Sequence, residues 1–580
     1  MTATTHRVRF GTLLCGIALV MARTGLAQNL AIDAGSIANA GSYIAPKYPN
    51  GGVSHGGMFI VKAAAGSGAL GACGVKIADQ FPIATTMNGT SMKIAMGGNS
   101  FDVPMIYVVA CSGTDQLAGI VPSSVPPGNG TLTVTYNGHS GSAPITVVDR
   151  TPGFFTINQG GTGPAIVQNY NSATDLVVNT LATPAKPGQY AIAWGTGLGP
   201  DGHSDVDAPQ PTDIPVNLEL YVGGKPAALT YKGRSGCCAG IDQIVFQVPD
   251  GLDGCYVPLV AKIGNAVSNF TTMSVSASGG PCSDAGGLSA ADIQAAQRNN
   301  RIRLGIADLF RADIELVTGA NTGAVTRYDQ ASAVFTDLTF GALLGMPVRE
   351  ISTPGSCTVL RGNANDPILD RPPVLAPHIN LDAGSITVRG AAGSASMNYQ
   401  GDFYYGLLGT SAYAEPQSGP GPVTGFLEPG TFTVSSPGGG PTPGSAPIGP
   451  FSAQIAVAAP PRFDNRFAIG AVQRGQGVTV NWSGVDSAAL VEIRGVSAPA
   501  DPTAPAVTFF CVEKASAGQF TVPPNVLLSL PAAPGSAAAA NGGALGLSVG
   551  VTGVSRFTAP GVDAGLLRFS SLFGRNVSYQ

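Results

Sequence analysis

Three aspartates close together in the sequence are the strongest candidates for metal binding. Asp201, Asp205 and Asp207 follow one another at spacings of two to four residues, with Gly202 among them. Carboxylate oxygens are ligands that Ca²⁺ prefers, although the segment lacks the glutamate that closes an EF-hand loop. Two interpretations follow: a calcium site, or a solvated loop in which Asp and Gly serve the turn geometry.

Histidines are few and scattered, which argues against a hydrolytic site. Beyond residue 27 the chain contains His55, His139, His203 and His378. Gly138-His139-Ser140-Gly141 is close to a nucleophile elbow, but its spacing is wrong. It also falls where a hairpin turn is expected. A triad can be assembled from distant residues, but the sequence points to none, and we predict a protein that is not an enzyme.

A glycine-rich segment superficially suggests nucleotide binding. Gly195-Thr196-Gly197-Leu198-Gly199 has the glycines of a phosphate loop, but such a loop needs a helix N-terminus directly after it. Pro200-Asp201-Gly202 and the acidic segment follow instead. The glycines therefore favour tight turns or close strand packing. No cofactor other than the calcium considered above is expected.

Cysteines point to disulfide bridges in an oxidising compartment. Eight remain beyond Cys15: Cys73, Cys111, Cys237, Cys238, Cys255, Cys282, Cys357 and Cys511. An even number in an exported chain indicates disulfides, but spacing alone does not fix the pairing of four cysteines.

Three sets of pairings follow from the positions of these cysteines. We predict Cys73–Cys111 within one domain and, as a hypothesis, Cys357–Cys511 between two domains. For the remaining four, bridges from Cys237 and Cys238 to Cys255 and Cys282 are favoured over a bond between the adjacent pair. A metal site is disfavoured because adjacent cysteines make a poor chelate.

The first 27 residues have the pattern of a secretory signal peptide. Basic residues precede an apolar stretch from Phe10 to Ala22, and Gly25-Leu26-Ala27 supplies small residues at the cleavage position. We expect cleavage after Ala27 and a secreted or cell-surface protein, extracellular or periplasmic. No later segment has the length of apolar sequence that a transmembrane helix needs. Charged residues are only 11% and the net charge is −4, which disfavours nucleic acid as a partner.

An internal repeat predicts two similar β domains. Residues 115–148 and 242–276 both begin with Asp-Gln and a short apolar strand, and both continue with a turn and two alternating strands. Asn137-Gly138 between two such strands is a strong hairpin signal, because both central positions of a type I′ turn need positive φ. Turns at short intervals without long helical crossovers favour antiparallel two-sheet sandwiches.

Changes of composition divide the rest of the chain. Beyond the signal peptide, 1–27, we place β-sandwich domains at 28–150 and 151–281, a β-rich domain at 282–458 and a small β domain at 459–580. One short connector helix is expected from Ala290 to about Gln297, capped by Ser289 and with Asp292 in its first turn. The predicted fold class is all-β, with tandem immunoglobulin-like β-sandwich domains.

Several motifs resemble a family of uncharacterised secreted proteins of soil acidobacteria, whose domains look like immunoglobulin-like IPT/TIG modules. The motifs are Pro152-Gly153-Phe154-Phe155-Thr156, Ala182 to Gly188, Gly195 to Pro200, Val222 to Ala227, Gly475 to Trp482 and Ser516 to Pro523. All are turn and strand motifs. The resemblance implies a fold and a location, and it implies no activity.

Two functions from different classes fit these features. The first is a secreted, non-enzymatic adhesion, scaffold or binding protein, whose partner is an unknown extracellular protein or polysaccharide. The alternative is a polysaccharide-associated binding protein or a glycosidase accessory protein. A cluster of aromatic residues, Tyr399, Phe403, Tyr404 and Tyr405, is compatible with a sugar-binding platform, although strand aromatics are usually core.

Overall fold

The computed structural model of the protein describes most of the chain. The described residues are 30–111, 115–284, 287–315, 324–346, 353–362, 378–414, 425–497, 506–533 and 546–580. The predicted signal peptide and Cys15 lie outside them. Strands dominate the described part, as the sequence predicts, and none of its helices is long and apolar enough to span a membrane.

The first unit, residues 30–148, is a sandwich of two mainly antiparallel sheets. One sheet has the order β1-β3-β9-β8-β4 and the other β2-β11-β10-β6-β5, with β7 beside β6. Its strands are β1 Ile32–Asn39, β2 Val53–Ser54, β3 Met58–Ala63, β4 Gly74–Ile77, β5 Thr86–Met87, β6 Thr90–Met96, β7 Asn99–Asp102, β8 Met105–Ala110, β9 Gln116–Ile120, β10 Gly128–Tyr136 and β11 His139–Val148. Asn137 and Gly138 have φ of 51° and 80°, as the predicted turn between β10 and β11 requires.

The second unit, residues 153–275, repeats this architecture. Its sheets have the orders β15-β14-β16-β21-β20-β17, with β12 beside β16, and β13-β24-β22-β18-β19, with β23 beside β22. Its strands are β12 Gly153–Phe154, β13 Gly163–Pro164, β14 Val167–Ser172, β15 Asp175–Val178, β16 Tyr190–Thr196, β17 Thr212–Asp213, β18 Leu218–Val222, β19 Lys225–Pro226, β20 Leu229–Arg234, β21 Asp242–Gln247, β22 Gly254–Ile263, β23 Ala266–Val267 and β24 Thr271–Val275.

Strand order shows how far the repeat extends. In the first sheet of each unit β1, β3, β9 and β8 occupy the places of β14, β16, β21 and β20. The two repeated segments supply β9 to β11 and β21 to β24. The remaining strands follow the same order although no repeat is visible in their sequence. This strand order requires only that one face of each strand is buried, and many different apolar residues meet that requirement.

The third unit, residues 290–579, is built on one 13-stranded sheet with the order β27-β38-β37-β40-β41-β25-β26-β31-β30-β29-β32-β33, and β28 beside β26. The unit also contains two smaller sheets, β34-β36-β39 and β35-β42. The strands of the whole unit are β25 Arg301–Glu315, β26 Ala324–Thr339, β27 Ser356–Gly362, β28 His378–Asn380, β29 Ile386–Gly390, β30 Gly393–Tyr399, β31 Tyr404–Ala414, β32 Gly430–Ser436, β33 Phe451–Val457, β34 Arg462–Phe463, β35 Ala471–Val472, β36 Val478–Ser483, β37 Leu490–Ser497, β38 Ala506–Lys514, β39 Gln519–Val522, β40 Gly546–Ala559, β41 Val562–Arg575 and β42 Ser578–Tyr579.

The division expected at residue 458 runs through this sheet. β25 pairs with β41 in parallel, from Leu304 opposite Ala564 to Glu315 opposite Arg575. Parallel neighbours are joined by long crossovers, so the residues between them carry no local signal of the pairing. A boundary placed by composition therefore separates strands that share one sheet.

The connector helix forms where the sequence predicts it. α1 spans Ala290–Asn299, and Ser289 and Asp292 form a capping box at its start. Two further α-helices of five and four residues, α2 Phe340–Leu344 and α3 Pro524–Leu527, were not predicted. Short 3-10 helices span Arg466–Ala468 and Ala515–Ala517.

Apolar contacts join the three units. Met58, Ile60 and Ala118 on the first unit form a buried cluster against which Phe155 and Ile241 of the second unit pack. On the opposite sheet of the second unit, Val260, Val267 and Phe270 belong to a large buried cluster of the third unit. That cluster includes residues of β27, β36 to β40 and β42. The units therefore share buried surface at both junctions.

Candidate functional site

The three aspartates of the predicted calcium site have different surroundings. Asp205 accepts hydrogen bonds from the backbone N–H and the hydroxyl of Ser123, both at 2.7 Å, and so connects the second unit to the first. Asp201 accepts from the backbone N–H of His203 at 3.0 Å, while Asp207 is exposed. Among the described residues no group of three or more His, Cys, Asp or Glu has the arrangement of a metal site. The geometry therefore favours the loop interpretation.

A buried arginine lies beside this loop and spans the junction of the first two units. Arg234 donates to Asp242 Oδ1 at 2.7 Å and to the backbone oxygens of Gly56 and Gly199, both at 3.0 Å. Its Nε lies 3.5 Å from Asp201 Oδ2. Arg234 and Asp242 are 5% and 1% exposed, so each charge depends on its partner within the protein. Because Gly56 belongs to the first unit, this ion pair stabilises the junction.

His203, the histidine of the acidic loop, does not have the contacts of a triad histidine. The His203 ring contacts Asp201 and the Thr212 hydroxyl through the same atom, Nδ1, whereas a triad uses both ring nitrogens. The pattern Gly-x-Ser-x-Gly occurs at 52–56 and 546–550. Ser54 and Ser548 there lie in strands and donate to backbone carbonyls. Neither has the strand-to-helix turn of a nucleophile elbow.

Four disulfides account for all eight cysteines. Cys73–Cys111 and Cys357–Cys511 form as predicted, and in the second pair the two residues lie directly opposite each other on β27 and β38. The favoured pairing of the other four is wrong. Cys237 bonds to its neighbour Cys238, and Cys255 bonds to Cys282.

Strand assignment explains the wrong pairing. Cys237 and Cys238 lie in the connection between β20 and β21, which belong to one sheet of the second unit. Cys255 is the second residue of β22 in the other sheet, where it packs with Cys282 against residues of α1 and β25. The two pairs therefore lie on different layers although they are close in sequence.

A buried cluster of charged residues in the third unit was not predicted. Asp313 accepts from Arg311 at 3.0 Å and from Arg327 at 2.6 Å, and both arginines also contact Glu428. Asp329 accepts from the backbone N–H groups of Phe426 and Leu427, while burial raises the pKa of its carboxyl. These pairings hold residues 425–428 against the sheet. We assign the cluster a structural role, because the charges that it brings together are paired with one another.

The predicted aromatic cluster in the third unit does not form one platform. Tyr404 is buried, where it donates to Asp382 Oδ1 at 2.9 Å and accepts from the backbone N–H of Ala383. Tyr399 is 50% exposed and lies against the Tyr404 ring, with ring centroids 5.0 Å apart. The cluster is therefore divided between core and surface.

A second aromatic surface lies on the outer face of the second unit. The strands β15, β14, β16 and β21 are neighbours in one sheet, and the inward residues of β14, β16 and β21 fill the core of the sandwich. Because side chains alternate along a strand, the residues between them point outward. We call these outward residues the tyrosine face. They are Gln168, Tyr170, Leu176, Val178, Tyr190, Ile192, Trp194, Gln243, Val245 and Gln247.

The register places the apolar members of the tyrosine face side by side. Tyr170 is opposite Leu176, and the pairing of Asn169 with Ala191 places Tyr190 on the other side of Tyr170. Tyr170, Tyr190, Leu176 and Val178 are 41%, 43%, 39% and 45% exposed. They form a continuous exposed apolar strip.

Amide side chains accompany this strip. The Trp194 indole N–H donates to Gln168 Oε1 at 2.9 Å, which fixes the indole against its neighbouring strand. Gln247 is exposed at the other side of β16, opposite Tyr190, and its amide donates to the backbone oxygen of Gly188. The sequence does not predict this surface, because an alternating strand does not show which of its faces is left uncovered.

Comparisons with known proteins give no family for the chain. No family model matches it, and no curated protein matches it. Among solved structures it is similar to SGBP-B of the Bacteroides ovatus mixed-linkage glucan utilization locus, with 15% identity over 39% of this chain and 43% of that chain and a TM-score of 0.18. The chain thus spans less than half of that protein.

Two further likenesses are equally distant. Invasin, a bacterial integrin-binding protein, is 9% identical over 94% of this chain and 79% of that chain, with a TM-score of 0.12. Domains 5–6 of the S-layer protein SbsC are 10% identical over 43% of this chain and 99% of that chain, with a TM-score of 0.14. Likenesses this weak carry no argument about what the chain binds.

Proposed function

We propose that the protein is exported and acts outside the cytoplasm as a non-enzymatic binding or scaffold protein. The observation that supports this most strongly is the bonding of every cysteine in the described residues. Disulfides persist in oxidising compartments and are rare in the cytosol. Bridges in all three units agree with the signal-peptide pattern of residues 1–27.

The junctions between units support a scaffold role. The first junction combines the buried apolar cluster around Met58 and Ile60 with the Arg234 ion pair, and the second buries Phe270 in the core of the third unit. Domains joined by small polar contacts move relative to each other. Buried apolar contacts at both junctions, together with the ion pair at the first, instead favour a stiff support that holds its surfaces at fixed positions.

A second candidate function is that of a polysaccharide-associated binding protein or a glycosidase accessory protein. The tyrosine face favours it, because it presents exposed tyrosine rings beside side-chain amides, which offer both apolar contact and hydrogen bonds to a sugar. This candidate is compatible with the first, since a stiff exported protein also suits the presentation of a binding surface.

Export and disulfide formation are tested together in cells. The full chain is compared with a matched variant that lacks residues 1–27, using fractionation, N-terminal sequencing and mass mapping without reduction. We expect the full chain outside the cytoplasm, beginning at Gln28 and carrying four bridges. The truncated variant should stay in the cytosol with alkylatable thiols. A mature chain that begins at Met1 in the cytosol would refute the proposal.

The non-enzymatic part of the proposal is tested by turnover. The purified mature chain is incubated with panels of glycans and of chromogenic esters, and products are measured by chromatography. We expect no product above that formed with heat-denatured protein. Saturable turnover of any substrate would replace this proposal with an enzymatic one.

A further inference from the structure

The tyrosine face differs from an ordinary exposed sheet in that it is both apolar and uncharged. Its ten outward positions hold Tyr, Trp, Leu, Val, Ile and Gln, without Asp, Glu, Lys or Arg. Four of its apolar side chains are between 39% and 45% exposed. Water-exposed faces of antiparallel sheets are normally polar, so this composition indicates a surface that is covered by a ligand.

We propose that the tyrosine face binds a neutral polysaccharide, an inference that rests on the proposed extracellular binding function. The ring faces of sugars present C–H groups, which pack on the electron-rich faces of Tyr and Trp rings. Sugar hydroxyls exchange hydrogen bonds with side-chain amides such as those of Gln168 and Gln247. An uncharged ligand complements an uncharged face, because neither partner has to desolvate an unpaired charge.

The size of the face favours a polysaccharide over a second protein. Strands are about 4.8 Å apart, so the four strands span roughly 14 Å, and the three outward rows along β16 span roughly 14 Å. The resulting area is on the order of 200 Å², whereas a stable protein interface needs about 800 Å² from each partner. A few sugar rings of a chain lying across the strands would cover the face.

The equivalent face of the first unit provides a comparison, because it is a surface of this molecule that is buried against another unit. There the sheet β1-β3-β9-β8-β4 carries Ala38, Met58, Ile60 and Ala118, which are buried at the contact with the second unit. That surface consists of alanine and flexible aliphatic side chains packed to 0–7% exposure. Tyrosines with side-chain amides, left open, form a different kind of surface.

The test uses the full mature chain in affinity electrophoresis. The gels contain hydroxyethyl cellulose or galactomannan as neutral polymers, or polygalacturonate as an anionic one. The double variant Y170A/Y190A removes both rings, and Y170F/Y190F restores the rings without the hydroxyls. The matched control V75A/I77A trims two side chains, 67% and 58% exposed, from the edge strand of the equivalent sheet in the first unit.

We expect at least one neutral polymer to retard the wild-type chain and polygalacturonate to leave it unchanged. Y170A/Y190A should lower the affinity at least tenfold, while Y170F/Y190F stays within about threefold and V75A/I77A equals wild type. Thermal unfolding within a few degrees of wild type shows that the variants are folded. Rescue by phenylalanine distinguishes ring stacking from a general disturbance of the sheet.

Four results would overturn the inference. They are the absence of retardation by either neutral polymer, retardation by polygalacturonate alone, equal retardation of Y170A/Y190A and wild type, and a concentration-dependent dimer in sedimentation velocity that Y170A/Y190A abolishes. The last result would assign the face to a second copy of the chain. None of these results refutes export or disulfide formation, which are measured by fractionation and mass mapping. A failure of this inference can therefore be distinguished from a failure of the proposed function.

Discussion

The outer faces of two equivalent sheets, one in the first unit and one in the second, have opposite surroundings. In the first unit Met58 and Ile60 are 7% and 1% exposed, because Phe155 and Ile241 of the second unit pack against them. In the second unit Tyr190 is 43% exposed on β16, the strand that corresponds to β3 in the equivalent sheet. The third unit packs on the opposite sheet of the second unit and leaves this face open.

This difference shows that the position of a face in the repeat does not determine its use. The same strand order supports a junction between units in one copy and an exposed aromatic surface in the other. Side-chain chemistry follows the use: the covered face has small and aliphatic residues that fit another protein surface, and the open face has aromatic and amide residues.

Loss of the buried arginine should open the covered face. In R234M, Asp242 remains buried without its cation, which typically destabilises a protein by about 3–5 kcal/mol. We expect a lower unfolding temperature in calorimetry and faster hydrogen exchange in β2 and β3. The control K232M breaks a partly exposed pair with Asp213 and should change stability by about 1 kcal/mol or less. Wild-type exchange in β2 and β3 of R234M would show that Arg234 does not hold the junction.

Truncation of a side chain on the covered face should be costly in stability. Ile60 is 1% exposed within the cluster that joins the first two units. I60A should destabilise the protein by about 2–5 kcal/mol, through lost burial and the cavity that remains. V75A, on an exposed strand of the same sheet, should change stability by about 0.5 kcal/mol or less. Equal effects of I60A and V75A in calorimetry would mean that Ile60 is not packed as described.

Truncation on the open face should leave stability almost unchanged. Tyr190 is 43% exposed, so Y190A should alter the free energy of unfolding by about 0.5 kcal/mol or less. The measurement is the same calorimetric scan as for I60A, so the losses in unfolding free energy caused by truncation on the two faces can be compared directly. A loss comparable with that of I60A would show that the tyrosine face supports the sandwich and would remove the contrast.

Ionic strength should have the smallest effect. Raising salt from about 0.01 M to about 1 M shortens the screening length from about 30 Å to about 3 Å and weakens binding between charged surfaces. Because the tyrosine face is uncharged, retardation by a neutral polymer should change by less than about twofold over this range. A steep decrease with salt in affinity electrophoresis would locate the binding on a charged surface elsewhere.

Local features of the fold could be predicted from the sequence. The hairpin at Asn137-Gly138 follows from the positive φ that its turn requires, and α1 follows from the capping pattern of Ser289 and Asp292. The bridge between Cys73 and Cys111 follows from the isolation of these two cysteines in one domain. Each of these depends on residues within a single unit.

Features that depend on distant contacts could not be predicted. Arg311 and Asp313 alternate with apolar residues, a pattern that normally indicates a solvent-exposed face, yet residues 425–428 pack over this cluster. The tyrosine face shows the opposite discrepancy. Tyrosines on an alternating strand normally indicate a buried core, but the tyrosines of this face are exposed. Burial is decided by elements far away in the chain, which local patterns do not report.

The parallel pairing of β25 with β41 has a consequence for the order in which the molecule forms. Leu304 and its partner Ala564 are far apart in the chain, whereas each strand of the first two units finds its neighbours within its own unit. Synthesis and translocation proceed from the N-terminus, so the first two units can fold before β41 is synthesised. Until then, the edge of β25 that pairs with β41 has no partner. An open edge of this kind invites misassembly, so we expect chains cut short before β41 to aggregate through the third unit, while the first two units remain intact.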